Sequence, residues 1–171
     1  MLRAALFALV GIASFMHWVV TDPSSEGPIS TEWPHVLAFS ALLLTIAAAL
    51  PVYGRMIGGR RVLRLSLIAG AGAALASVAN IFEDGFGIGW FFFIFIVSTA
   101  IIDLALLAMT VVIARTRRGG HRLLALIPAA TVAAIIFYVW AGGVIMLVTW
   151  LAAAALALHT RASPRAAPAG T

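Results

Sequence analysis

The 171-residue chain has no cysteine and no lysine, and only six of its residues are acidic. Without thiols there is no disulfide framework, no thiol nucleophile and no Cys-ligated zinc or iron–sulfur site. Without a lysine amine, neither retinal nor pyridoxal phosphate can be held as a Schiff base. Charge is scarce as well: 10% of the residues are charged and 63% are apolar, whereas soluble domains carry about 25% and about 45–50%. So little polar surface cannot cover a core in water. With a mean hydropathy of +1.10, the composition is that of an integral membrane protein.

The apolar residues lie in long runs. Crossing roughly 30 Å of hydrocarbon takes about 17–25 helical residues. Six runs qualify: Ala4 to Val20, His35 to Val52, Val62 to Phe82, Trp90 to Ala114, Leu123 to Val139 and Gly143 to His159. Leu123 to Leu158 is nearly unbroken, but as one helix it would be about 54 Å long, too long for one crossing. The segment Trp140-Ala141-Gly142-Gly143 is therefore read as the turn of a hairpin. The expected fold is an all-α integral membrane protein with six transmembrane helices in one domain, residues 1–159. A cytoplasmic tail, 160–171, rich in Ala, Pro and Arg, has too little apolar surface to fold. The first run, headed by Arg3 and containing Gly11-Ile12-Ala13-Ser14, has some features of a signal peptide. It stays apolar through Val20, longer than the usual h-region, so a retained span is expected.

With six spans, every arginine falls on one side: Arg3; Arg55, Arg60, Arg61 and Arg64; Arg115, Arg117, Arg118 and Arg122; Arg161 and Arg165. Asp22, Glu26, Glu32, Glu83 and Asp84 fall on the other. Cytoplasmic loops collect Arg, which places both termini in the cytoplasm, and Trp18, Trp33, Trp90 and Trp140 mark the outer boundary. An Ala-rich, Lys-free chain suits a GC-rich bacterial genome, so the expected location is the bacterial plasma (inner) membrane. The longest loop, Thr21 to Pro34, holds no extramembrane domain. Despite a pI near 11.4, the arginines are split among short loops with no nucleic-acid motif or stacking surface, so nucleic acid is not an expected partner. Membrane lipid with anionic headgroups is. A homo-oligomer or a partner membrane subunit is compatible with so small a chain.

Ala69, Ala73 and Ser77, and Gly70 with Ala74, recur at four-residue spacing, so the third helix is expected at the centre of the bundle. Trp90-Phe91-Phe92-Phe93 with Phe95 makes the outer half of the fourth bulky, to face lipid or line a pocket. Pro128 is expected to kink the fifth.

Asp103 is the strongest functional candidate. It lies about midway along its run, where an ionisable group is costly and usually serves a site, a cavity or a partner. Thr99 and Thr110 share its stripe, and Thr45, Thr131 or Thr149 on other helices could hydrogen-bond it. A second group gathers at the outer surface, where the acids approach His17, His35 and Asn80. A carboxyl beside a histidine is the material of general acid–base chemistry, so Glu32, His35, Glu83 and Asp84 are the catalytic candidates if the protein is an enzyme. Asp103, Thr99, His17 and Asn80 are the candidates for binding a ligand or ion.

Glu32-x-x-His35 is one copy of an element that di-iron bundles need twice, with two further Glu, so no metal site is expected. Bis-His haem would pair His17 with His35 or His121 with His159, but histidines at span ends are commonplace and haem is not expected. The cofactor is left unassigned. Three readings compete: a protein binding or passing a small ligand, proton or cation at Asp103 below an acidic vestibule; a membrane-embedded acid–base cyclase or isomerase of isoprenoid-like lipids; and an accessory subunit of a larger complex. The second is similar only in arrangement to small integral-membrane terpene cyclases and sterol isomerases, without a shared motif.

Overall fold

In a computed structural model of the protein, residues 6, 8–13, 33–136, 144–152 and 154–155 are described, and every regular element among them is helical. Four helices are named here: α1, Trp33–Ile57; α2, Arg60–Asn80; α3, Phe91–Thr116; and α4, Leu126–Ile136. α2 continues into a π-helical turn, Ile81–Gly85, and α4 is entered from a 3-10 turn, Gly119–Ala125. Residues 8–13 and 144–152 are also helical.

α1, α2 with its π-helical turn, and α3 are each long and apolar enough to cross a membrane. They match the second, third and fourth runs of the sequence. α3 leaves Phe93, Ile96, Val97, Leu104, Leu107 and Val111 exposed along its length. A soluble monomer rarely carries so extended an apolar surface, so this is a membrane protein. In lipid a helix satisfies its own backbone, which is why these runs are helical throughout. The first run beyond residue 13, the end of the fifth run, the expected turn at Trp140 to Gly143, the end of the sixth run and the tail lie outside the described residues.

Proline and glycine set the ends. Pro34 is the second residue of α1, where its missing N–H would have had no intrahelical acceptor. α1 closes at Gly58 and Gly59, whose φ of 76° and 94° suit only glycine, and this two-residue corner turns the chain back into α2. Pro51 lies inside α1, beyond which the helix runs on to Ile57, five residues past the end of the sequence run. Pro128, expected to kink the fifth helix, stands close to a change of helix type. It is the third residue of α4, just after the 3-10 turn Gly119–Ala125 passes into α-helix.

α2 lies between α1 and α3, packing on both, and α4 packs on α3. The central place expected for the small-residue helix is found: Ala69, Gly70, Gly72, Ala73, Ala76 and Ser77 are all buried. A Cβ on Gly70 would sit 2.9 Å from the Ala47 carbonyl oxygen, the acceptor that Pro51 deprives of its usual donor. A Cβ on Gly72 would sit 3.2 Å from the Ser98 carbonyl oxygen of α3. On α1, Gly54 faces the Ser66 side chain of α2, and Gly11 faces Thr45.

Gly70→Val should therefore lower the stability of the detergent-solubilised protein by about 1–3 kcal/mol, by forcing α1 and α2 apart. Gly89→Ala, at a position with nothing within 4 Å, should leave the thermal midpoint unchanged. Circular dichroism melts of the two variants check this; equal midpoints would show that the close approach at Gly70 is not needed.

Candidate functional site

Two groups of polar residues stand apart along the bundle. The first is at the end of α1 and α2 nearest Trp33 and Gly85. Ser40 and Ser77 exchange hydrogen bonds: the Ser77 Oγ donates to the Ser40 carbonyl at 3.0 Å and the Ser40 Oγ to the Ser77 carbonyl at 3.4 Å. One turn further, Asn80 Nδ2 donates to the Ser40 Oγ at 3.0 Å and to the Val36 carbonyl at 3.3 Å. All three side chains are buried. These bonds require the close backbones that the small residues of α2 permit.

His35, next to Val36 on α1, is buried at the same level as Asn80. Glu83 and Asp84 follow Asn80 in the π-helical turn and are half-buried. The Trp33 ring covers that turn so closely that a Cβ on Gly85 would lie 2.9 Å from it. Phe86 meets Trp33 edge-on, with centroids 5.2 Å apart, and Phe82 stacks on Phe91 at 4.7 Å. His35, Asn80, Glu83 and Asp84 are thus gathered at one end of α1 and α2 with aromatic rings around them. Glu32 and His17 lie outside the described residues. The aromatic start of α3 faces two ways: Phe92 and Phe93 are exposed, while Phe95 is part-buried 6.2 Å from the Phe39 ring.

The second group centres on Asp103, twelve residues after the start of α3 and thirteen before its end. It lies between the buried face, which carries Ser98, Ile102, Ala105, Leu106 and Met109, and the exposed face with Leu104 and Leu107. Its Oδ1 is buried and has no hydrogen-bond partner. The threonines that the sequence offered as partners are engaged within their own helices. Thr99, one turn before it, donates to the Phe95 carbonyl at 2.9 Å, and Thr110 donates to Leu106 at 2.9 Å. Thr45, Thr131 and Thr149, the other partners the sequence offered, donate to Leu42, Ile127 and Ile145 of their own helices. Such back-bonding spends a hydroxyl proton inside its own helix.

The two groups are distinct. Gly72 is level with Ser98, Asn80 lies eight residues beyond Gly72 on α2, and Asp103 lies five residues beyond Ser98 in the opposite direction. At 1.5 Å per residue the separation along the bundle is about 20 Å. Asn80 therefore belongs with His35, Glu83 and Asp84, while Thr99 belongs with Asp103. Among the described residues no three His, Asp or Glu side chains gather in a way that could hold a metal ion.

Sequence reasoning missed Tyr53 and Trp150. The Tyr53 hydroxyl donates to the Leu124 carbonyl, tying α1 to the 3-10 turn, and its ring meets Trp150 at 6.2 Å. Trp150 is buried, unlike an interfacial tryptophan. Its place in the middle of the sixth run was the available signal. No family model, curated protein or solved structure matches the chain.

Replacing Asn80 by Ala should destabilise the protein by about 1–2 kcal/mol, since interhelical hydrogen bonds in membrane proteins average about 0.6 kcal/mol and the loss also strands polar neighbours. Asp103→Asn should cost almost nothing, because its buried oxygen has no partner to lose. Denaturation in SDS–detergent mixtures measures both; a large loss for Asp103→Asn would make that residue structural.

Proposed function

We propose that the protein binds or passes a small ligand, proton or cation at an intramembrane site formed by Asp103 with Thr99 beside it. The observation that carries this reading is a carboxyl halfway along a membrane-length helix whose Oδ1 is buried and unpartnered. A carboxyl that served only to join helices would be spent on a neighbour, as Asn80 is. One left unmatched in an apolar setting retains capacity for a proton or a cation. In this reading the chain crosses a bacterial inner membrane six times with both termini inside, and the acids near Trp33 form an outer vestibule. The arginines at the opposite ends of the helices support that orientation.

The outer group supports a second reading, an acid–base enzyme acting on an isoprenoid-like lipid. There Glu83 or Asp84 would supply the proton, and Trp33, Phe82 and Phe86 would offer aromatic faces to a developing cation.

Proteoliposomes with an imposed proton or potassium gradient and an internal fluorescent indicator test the first reading. The wild type should dissipate one of the gradients, and Asp103→Asn, with an unchanged circular dichroism spectrum, should not. Equal flux in the two proteins, or none in the wild type, overturns it. Glu83→Gln with Asp84→Asn should spare the flux if the vestibule only gathers ions, and should abolish lipid turnover if the second reading holds.

A further inference from the structure

The end of the bundle opposite Glu83 and Asp84 collects arginine and, among the described residues, no acid. Arg55 is in the last turn of α1, Arg60, Arg61 and Arg64 begin α2, Arg115 is in the last turn of α3, and Arg117, Arg118 and Arg122 follow it. All but Arg117 are exposed, and the described acids, Glu83, Asp84 and Asp103, are elsewhere. Two interactions draw these loops together. The Arg117 Nη2 donates to the Ile57 carbonyl and, at 3.4 Å, to that of Gly58, closing the C-terminal end of α1. Arg122 Nε donates to the Arg117 carbonyl at 3.0 Å. Arg117 is thereby anchored against the Gly58–Gly59 corner that leads directly into Arg60 and Arg61, and Arg122 is tied to the Arg117 backbone.

Guanidinium groups stay charged at any working pH, so gathering them without an acid leaves a repulsion that a bound anion relieves. Their planar fork of donors matches the oxygens of a phosphate. The surface beside them is apolar: Leu67 lies one turn from Arg64, and Leu123 and Leu126 flank Arg122, all three exposed. Phosphate chemistry beside exposed leucines fits an amphiphile rather than a water-soluble phosphate or a nucleic acid. The bearing helices are of membrane-crossing length, which sets their ends at headgroup level.

We infer that this arginine-lined end, centred on Arg60, Arg61, Arg64, Arg117 and Arg122, binds the phosphate headgroups of anionic phospholipids. The inference is independent of Asp103.

Native mass spectrometry of the full chain, reconstituted with equal amounts of phosphatidylglycerol and phosphatidylcholine and released in mild detergent, tests it. The wild type should retain phosphatidylglycerol in preference. The exposed triple variant Arg60→Gln, Arg61→Gln, Arg64→Gln should lose that preference by about fivefold for each arginine removed. Arg60→Lys, Arg61→Lys, Arg64→Lys should keep most of it, and Arg61→Gln alone serves if the triple variant does not fold. Equal retention of the two lipids by the wild type overturns the inference, as does an undiminished preference in a folded Gln variant. Displacement of the lipid by equimolar inorganic phosphate or a short oligonucleotide also overturns it, assigning the patch to a soluble ligand.

Discussion

Helices in a bilayer gain little from hiding apolar side chains from one another, because lipid tails are equally apolar, so association depends on how closely the backbones approach. In this protein that approach is made by α2. Gly70 admits the Ala47 carbonyl of α1 and Gly72 admits the Ser98 carbonyl of α3, while Gly54 on α1 makes room for Ser66. Because α2 touches both α1 and α3, its small residues set the separation and level of all three helices. The Ser40–Ser77–Asn80 hydrogen bonds follow from it, since such short side chains reach across only when the backbones are near.

Most of the described buried polar side chains use their hydrogen-bonding capacity in one of two ways, while Ser98 Oγ and Trp150 Nε1, like Asp103 Oδ1, are buried without a partner. Ser40, Ser77 and Asn80 join α1 to α2, and Tyr53 joins α1 to the 3-10 turn. The threonines turn back on their own helices. Hydrogen bonds of the first kind are worth about 0.6 kcal/mol each in membrane proteins, so they select a register more than they drive association. Asp103 fits neither use. Its buried Oδ1 brings a desolvation cost that no hydrogen bond offsets, and this is the feature on which the proposed site rests.

The two ends of the helices differ in chemistry. One carries rings and carboxyls: Trp33, Phe82 and Phe86 around Glu83 and Asp84. The other carries arginines, of which Arg117 stabilises the C-terminal carbonyls of α1 as a cation at the negative end of a helix dipole. A cation meets carboxylates at the first end and an electropositive surface at the second.

Composition and run length alone determined the helical class, the membrane setting, the three long helices to within a few residues, and the central place of the Gly/Ala-rich helix. These follow from the number of apolar residues needed to cross lipid and from the small side chains needed for close packing, both of which are local properties. Asp103 was legible for the same reason, as the one carboxyl in the middle of an apolar run. The sequence could not say whether Thr45, Thr99 or Thr131 would meet it, because a hydroxyl's choice between its own helix and a neighbour depends on the distance between helices. Nor could it place Trp150 against Tyr53 or bring Arg117 to Gly58, since each depends on the relative level of segments far apart in the chain. Only the tertiary structure decided these, because the depth at which antiparallel helices lock is set by the contacts between them and not by either helix alone.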